Sequence, residues 1–306
     1  MGRRHGSAFK KYKRICMSKQ KAQLIDGKTI AEKMLLELKG QISQLNRPPG
    51  LAAILIGDDP ASHRYVKKKK ETCRKIGINF HDYLCGGKSC PSTTKKEILE
   101  MINFLNNDES IDGIVVQLPI PKKFATQKII DAIDPKKDVD GFHPKNSVSS
   151  RPSRDGQKNP IVVPPLIQAI DKALKQAGEN LKGKNVLIVS KNPIFADPLK
   201  QNLEGQGLAV KLTKPDENLA EKTKQADILI TVVGQPGLIK KSMVRQDAVI
   251  IDAGTTLVGE NKWKGDADPK VAEIASWLTP VPGGVGPLTV AYLLKNTVEL
   301  AKKNQS

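Results

Sequence analysis

The residues best suited to chemistry lie in the run Gly57-Asp58-Asp59-Pro60-Ala61-Ser62-His63-Arg64-Tyr65-Val66-Lys67-Lys68-Lys69-Lys70. Asp58 or Asp59 is placed to cap a helix start, with Pro60 at an early helical position. On that helix Tyr65 and Lys69 stand four residues apart and share a face. A lysine beside a phenol in a partly dry cleft has a lowered pKa and can act as an acid or a base. Taken alone, however, a run of lysines reads as a solvated helix face.

Three further segments give Lys69 company. Gly113-Ile114-Val115-Val116-Gln117-Leu118-Pro119-Ile120-Pro121 puts a polar Gln117 at the end of a buried strand, ahead of a proline-fixed turn. Strand ends are where open α/β sheets place ligand groups. Lys137-Asp138-Val139-Asp140-Gly141 sets carboxylates on a tight turn. Thr279-Pro280-Val281-Pro282-Gly283-Gly284-Val285-Gly286-Pro287 brings glycines whose backbone can approach a ligand closely before a helix start.

With these four segments in this order, the sequence resembles the bifunctional methylenetetrahydrofolate dehydrogenase/methenyltetrahydrofolate cyclohydrolase family, from about Ala22 to Ala301. The resemblance implies that Lys69 is the catalytic acid/base and that Gln117 hydrogen-bonds and positions it. Tyr65 would line the folate ring site and Asp140 would hold the pterin end. Val66, Val116 and Leu118 would complete the substrate site, and the loop of Pro282, Gly283, Gly284, Val285 and Gly286 would close over it. The resemblance also implies an α/β fold with mostly parallel sheets. Its parts would be a catalytic domain over residues 21–150, a Rossmann-type NADP-binding domain over 151–285, and a C-terminal helix at 286–303 that completes the first. NADP is the expected cofactor with NAD as the alternative, a tetrahydrofolate derivative is the substrate, and no metal is expected. A cytoplasmic homodimer serving one-carbon metabolism and purine biosynthesis completes the expectation.

The second domain departs from the family pattern. After the strand at 185–189, Ser190 replaces the first glycine of the phosphate turn, Lys191 the arginine, Asn192 the serine and Ala196 the second glycine. A Cβ at those positions is expected to crowd a pyrophosphate, and Asp197 adds negative charge. Lys191 can still meet a 2′-phosphate as a point charge. Thr213, Val233, Gly234 and Thr255 are the other expected cofactor contacts. The runner-up reading is therefore a cyclohydrolase with weakened or lost dehydrogenase activity.

Positioning these residues requires alternating strands and helices, the pattern of a mostly parallel sheet. Ile30, Met34, Leu38 and Ile42 recur at helical spacing, 51–56 reads as a buried strand, and 60–76 as a helix stopped by Gly77. A strand at 78–84, a capping box of Thr94 and Glu97 before a helix, and a strand at 114–116 follow. The polar stretch 144–160 reads as a linker. Beyond it come strands at 185–189, 208–212, 227–233 and 248–252, helices near 196–206 and 217–225, and a last amphipathic helix to about 303.

Composition narrows the class further. The chain has 306 residues and a formal net charge of +18. Eight of its basic residues fall within positions 1–25, which hold no acid, so the rest carries +10. Residues 1–20 are expected to form a disordered extension, with Met17 as an alternative start. Aromatic residues make up only 4%, which disfavours the competing reading as a nucleic-acid-binding protein. No apolar run approaches the roughly 20 residues of a membrane-spanning helix. Cys16, Cys73, Cys85 and Cys90 have no CxxC spacing and read as free thiols in a reducing compartment.

Overall fold

The computed structural model describes residues 22–88, 90–146, 162–178, 181, 183–259 and 262–305. The basic extension, Met17 and most of the polar linker lie outside the described residues. The chain begins with β1 (Gln23–Leu24) and α1 (Gly27–Ile42), which Asp26 caps by accepting the Thr29 amide at 3.0 Å. Then come β2 (Gly50–Ile56), α2 (Pro60–Ile76), β3 (Asn79–Cys85), α3 (Lys95–Asn107), β4 (Gly113–Gln117) and α4 (Thr126–Ile130). The second half holds α5 (Pro165–Ala177), β5 (Asn185–Ser190), α6 (Pro193–Gly205), β6 (Ala209–Thr213), α7 (Leu219–Thr223), β7 (Ile228–Val232) and β8 (Val249–Asp252). A hairpin of β9 (Thr256–Val258) and β10 (Lys262–Lys264), the short β11 (Trp277–Leu278) and α8 (Val285–Gln305) close the chain.

Local chemistry explains the helices that matter most. Asp59, not Asp58, caps α2: its carboxylate accepts the Ser62 amide at 2.8 Å, and Pro60 follows in the first turn. Gly77 ends α2 at φ +93°, in the left-handed region that glycine adopts without strain. Thr94 and Glu97 close both hydrogen bonds of the capping box on α3.

Two parallel sheets result. In the smaller, β2 lies between β3 and β4, and every residue of β2 is buried. The larger runs β1-β11-β8-β7-β5-β6, all parallel. The order reverses at β5, whose neighbours are β6 on one side and β7 on the other. Such a reversal opens a crevice at the carboxyl ends of β5 and β7.

The two long helices α1 and α8 bridge the halves. Ala31 of α1 and Val285, Leu288 and Ala291 of α8 pack into the core of the larger sheet. Further along the same helices, Leu38, Ile42, Leu293, Leu294 and Val298 pack into the core of the smaller one. The end of α8 is fastened as well. The Arg47 amide donates to Gln305 Oε1 at 3.1 Å, and Asn304 donates to Asp112, which also binds the Arg47 guanidinium at 2.7 Å.

Several elements have no counterpart in the sequence pattern. Helix α5 follows directly on two prolines, and β1 and β11 are two residues long, too short for any alternation to show. Strand β1 joins the larger sheet although its residues precede the smaller one in the chain.

Candidate active site

Lys69 sits in the third turn of α2 and is only 8% exposed, while Lys67 and Lys68 on the adjoining faces are exposed. Its ammonium donates to Gln117 Oε1 at 2.9 Å, and Gln117 Nε2 donates to the Leu118 carbonyl at 2.8 Å. The second bond fixes the amide orientation so that its oxygen faces the lysine. Burial lowers the Lys69 pKa, and the nearby charge of Asp140 pulls it partly back. Asp140 is itself pushed up to about 6, mainly by burial, against the opposing effect of Lys69. Lysine and aspartate thus approach each other in proton affinity, which suits groups that exchange protons with a substrate.

Asp138 organises the turn that presents Asp140. Its buried carboxylate accepts the amides of Gly141 at 3.0 Å and His143 at 2.8 Å, and that of Asp140 at 3.2 Å. Gly141 at φ +68° lets the chain double back there. The side chains of Val66 and Val116 are buried in the apolar cores, so only their backbone is placed to reach a ligand. Leu118 and Tyr65 are half-buried. In the glycine loop, Gly284 and Val285 are buried, Gly283 and Gly286 half-buried, and Pro282 exposed. The Gly283 carbonyl accepts the Lys28 amide at 2.9 Å, and a Cβ on Gly27 would collide with the Gly284 carbonyl, so the loop is sealed against the start of α1.

The expected cofactor contacts gather at the carboxyl edge of the larger sheet. Ser190 ends β5 with Lys191 and Asn192 just after it, Val233 and Gly234 follow β7, Thr213 ends β6, and Thr255 precedes β9. The first two groups flank the reversal in strand order, where a dinucleotide binds in folds of this kind. Lys191 is exposed there, its ammonium 3.4 Å from Gln235 Oε1. The turn satisfies itself internally. Ser190 Oγ accepts the Asn192 amide at 3.2 Å, Asn192 Oδ1 accepts the Ile194 amide at 3.0 Å, and the Asn192 carbonyl accepts the amides of Phe195 and Ala196. Ser190 and Ala196 are buried, whereas Asp197 is exposed. The sheet edge, the glycine at 234 and the lysine fit a dinucleotide, with Ser190 competing for one amide.

The halves also touch. Tyr65 lies against Trp263 of β10, ring centroids 5.3 Å apart, with Thr255 near its hydroxyl. Phe142 meets Phe195 of α6 edge-on at 5.1 Å. Neither pair is foreshadowed by the sequence, because each joins segments more than fifty residues apart with no shared motif.

Comparison with known proteins supplies the family. Residues 25–140 match the tetrahydrofolate dehydrogenase/cyclohydrolase catalytic domain, and residues 164–305 match the NAD(P)-binding domain of the same family. The chain belongs to the tetrahydrofolate dehydrogenase/cyclohydrolase family. It is 41% identical over 287 residues to the bifunctional protein FolD of Geotalea daltonii, covering 92% of this chain and 99% of that one. Against FolD of Nitratiruptor sp. it is 42% identical over 289 residues, with the same coverage. Among solved structures, the bifunctional FolD of Campylobacter jejuni superposes with a TM-score of 0.82 at 36% identity, covering 92% of this chain and 99% of the other. The Trypanosoma brucei enzyme, solved with NADP and an inhibitor, superposes with a TM-score of 0.84 at 30% identity, covering 92% and 98%. This tetrahydrofolate dehydrogenase/cyclohydrolase has the two-domain α/β architecture of those structures, and no helix among its described residues is long and apolar enough to cross a membrane.

Proposed function

We propose that one cleft in this enzyme oxidises 5,10-methylenetetrahydrofolate with NADP and then hydrolyses 5,10-methenyltetrahydrofolate to 10-formyltetrahydrofolate, with Lys69 as the acid/base for the hydrolysis. The observation that carries the reading is the buried Lys69 held at 2.9 Å by Gln117, with its pKa lowered by burial. In the hydrolysis, water adds to the methenyl carbon, and its proton passes to a neutral Lys69. As the carbon–nitrogen bond breaks, the same lysine returns that proton to the released nitrogen. The added hydroxyl becomes the formyl carbonyl, and its proton leaves to solvent as the net proton of the reaction. Gln117 keeps the ammonium aimed at that carbon through both transfers. Asp140, on the turn built by Asp138, binds the pterin end, Tyr65 supports the ring system, and the 282–286 loop closes the site.

When bound, NADP supplies the hydride acceptor for the oxidation. Ser190, Lys191, Asn192, Thr213, Val233, Gly234 and Thr255 are the residues of this chain placed to hold it. Folding into a homodimer and work in the cytoplasm, feeding purine biosynthesis, follow from the family resemblance. The test is a paired assay on the purified chain: methenyltetrahydrofolate hydrolysis and NADP-dependent methylenetetrahydrofolate oxidation. Both are expected. Hydrolysis without any oxidation at millimolar NADP or NAD would leave a single-activity cyclohydrolase instead.

A further inference from the structure

The hairpin of β9 and β10 is a separate two-stranded sheet in the cofactor-side half of the chain, yet it reaches the tyrosine of the folate side. Both of its legs are fixed at one point. Asp252 Oδ1 accepts the Gly254 amide at 3.0 Å, just before β9, and the Asp266 amide at 3.2 Å, just after β10. Asp252 Oδ2 accepts the Ala267 amide at 2.8 Å. Asp266 in turn ties the arm to the loop after β7, accepting the Thr231 hydroxyl and the Val233 and Gln235 amides, each at 2.7 Å. Glycines leave room for this arrangement: a Cβ on Gly254 would collide with the Asp266 carboxylate, and one on Gly265 with that of Asp252.

From this fixed base the arm projects two groups at a single target. Thr255 lies near the Tyr65 hydroxyl, and Trp263 packs against the Tyr65 ring at 5.3 Å with planes tilted by 60°. A tyrosine side chain has two soft torsions. An aromatic contact on its ring removes much of that freedom. At 5.3 Å the two rings are in contact, with no space for a substrate ring between them. Trp263 therefore backs Tyr65 and leaves the remaining surface of the phenol for a ligand.

We propose that Trp263 is a positioning residue for folate binding, holding Tyr65 in its substrate-ready orientation from the opposite domain. This rests on the reading of Tyr65 as a folate-binding residue. Trp263 touches no reacting atom, so it acts on affinity for folate in both reactions and not on the chemical step. The pre-ordered Tyr65 spares the substrate the cost of fixing that side chain on binding.

The experiment is steady-state hydrolysis of methenyltetrahydrofolate by the full chain carrying Trp263→Val, Trp263→Phe, Tyr65→Ala, or Tyr65→Ala with Trp263→Val. Trp263→Val is expected to raise KM about threefold to tenfold, the range of one aromatic contact, with kcat within about twofold. Trp263→Phe is expected to restore most of the affinity, and Trp263→Val is expected to add nothing on the Tyr65→Ala background. If Tyr65→Ala raises KM but Trp263→Val does not, or if its effect persists in full without Tyr65, the inference is overturned while the reading of Tyr65 stands. If Tyr65→Ala leaves KM unchanged, that reading fails and the inference with it. Should Trp263→Val fold poorly, Trp263→Phe compared with Trp263→Leu keeps the question open to refutation: equal KM values would contradict an aromatic positioning role.

Discussion

Lys69 and Asp140 form a coupled pair whose proton affinities depend on each other. Burial lowers the lysine and raises the aspartate to about 6, and each charge partly offsets the shift of the other. Removing the negative charge takes away the interaction that raises the Lys69 pKa. Asp140→Asn should therefore move the limb of the cyclohydrolase pH profile that belongs to Lys69 to lower pH. A pH series of kcat measures this, and a shift to higher pH would show that Asp140 does not stabilise the lysine charge. Helix periodicity separates Lys69 from its exposed neighbours and a strand end marks Gln117 as a ligand position, but their meeting is legible only through the family resemblance. The partnership of Tyr65 with Trp263 is not legible. Trp263 lies between two lysines on a three-residue strand, and nothing in its local pattern says which distant ring it meets.

The turn between β5 and α6 is the element where sequence and structure differ in their physical reason. The sequence suggests that side chains at 190 and 196 crowd a pyrophosphate. In the fold both are buried, and Ser190 Oγ already accepts the Asn192 amide, so in the proposed function Ser190 competes for it. A hydrogen bond of this kind is worth about 0.5–1.5 kcal/mol net. Ser190→Gly frees that amide and should lower the KM for NADP roughly twofold to tenfold, leaving methenyltetrahydrofolate hydrolysis unchanged. Ala196→Gly should lower it little, since Ala196 is buried and its methyl occupies no turn amide. Titration of NADP in the dehydrogenase assay separates the two, and an unchanged KM in Ser190→Gly would show that the altered turn does not limit binding. The elements themselves are largely legible: the capped α2 runs from Pro60 to Ile76 with Gly77 as its stop, as the sequence signals state. Strands of two residues are not, since their stability comes from the neighbours they pair with and not from their own pattern.

At the scale of the whole molecule, α1 and α8 pack into the cores of both sheets, so the two halves share a spine made from the two ends of the described chain. The sequence gives no direct sign of this. Amphipathic spacing shows that α8 has an apolar face, but not that this face divides between two cores. The spine, the arm bearing Trp263 and the contact of Phe142 with Phe195 together join the half that carries Lys69 to the half that carries the cofactor edge. In the proposed function the methenyl group is hydrolysed through Lys69. The most direct measurement compares cyclohydrolase kcat in Lys69→Met and Lys67→Met. Losing a positioned acid/base costs about a hundredfold to ten-thousandfold, so Lys69→Met should nearly abolish hydrolysis, while Lys67→Met, whose side chain is exposed, should stay within about twofold of the parent. Equal losses in the two variants, or near-parental hydrolysis in Lys69→Met, would contradict the account.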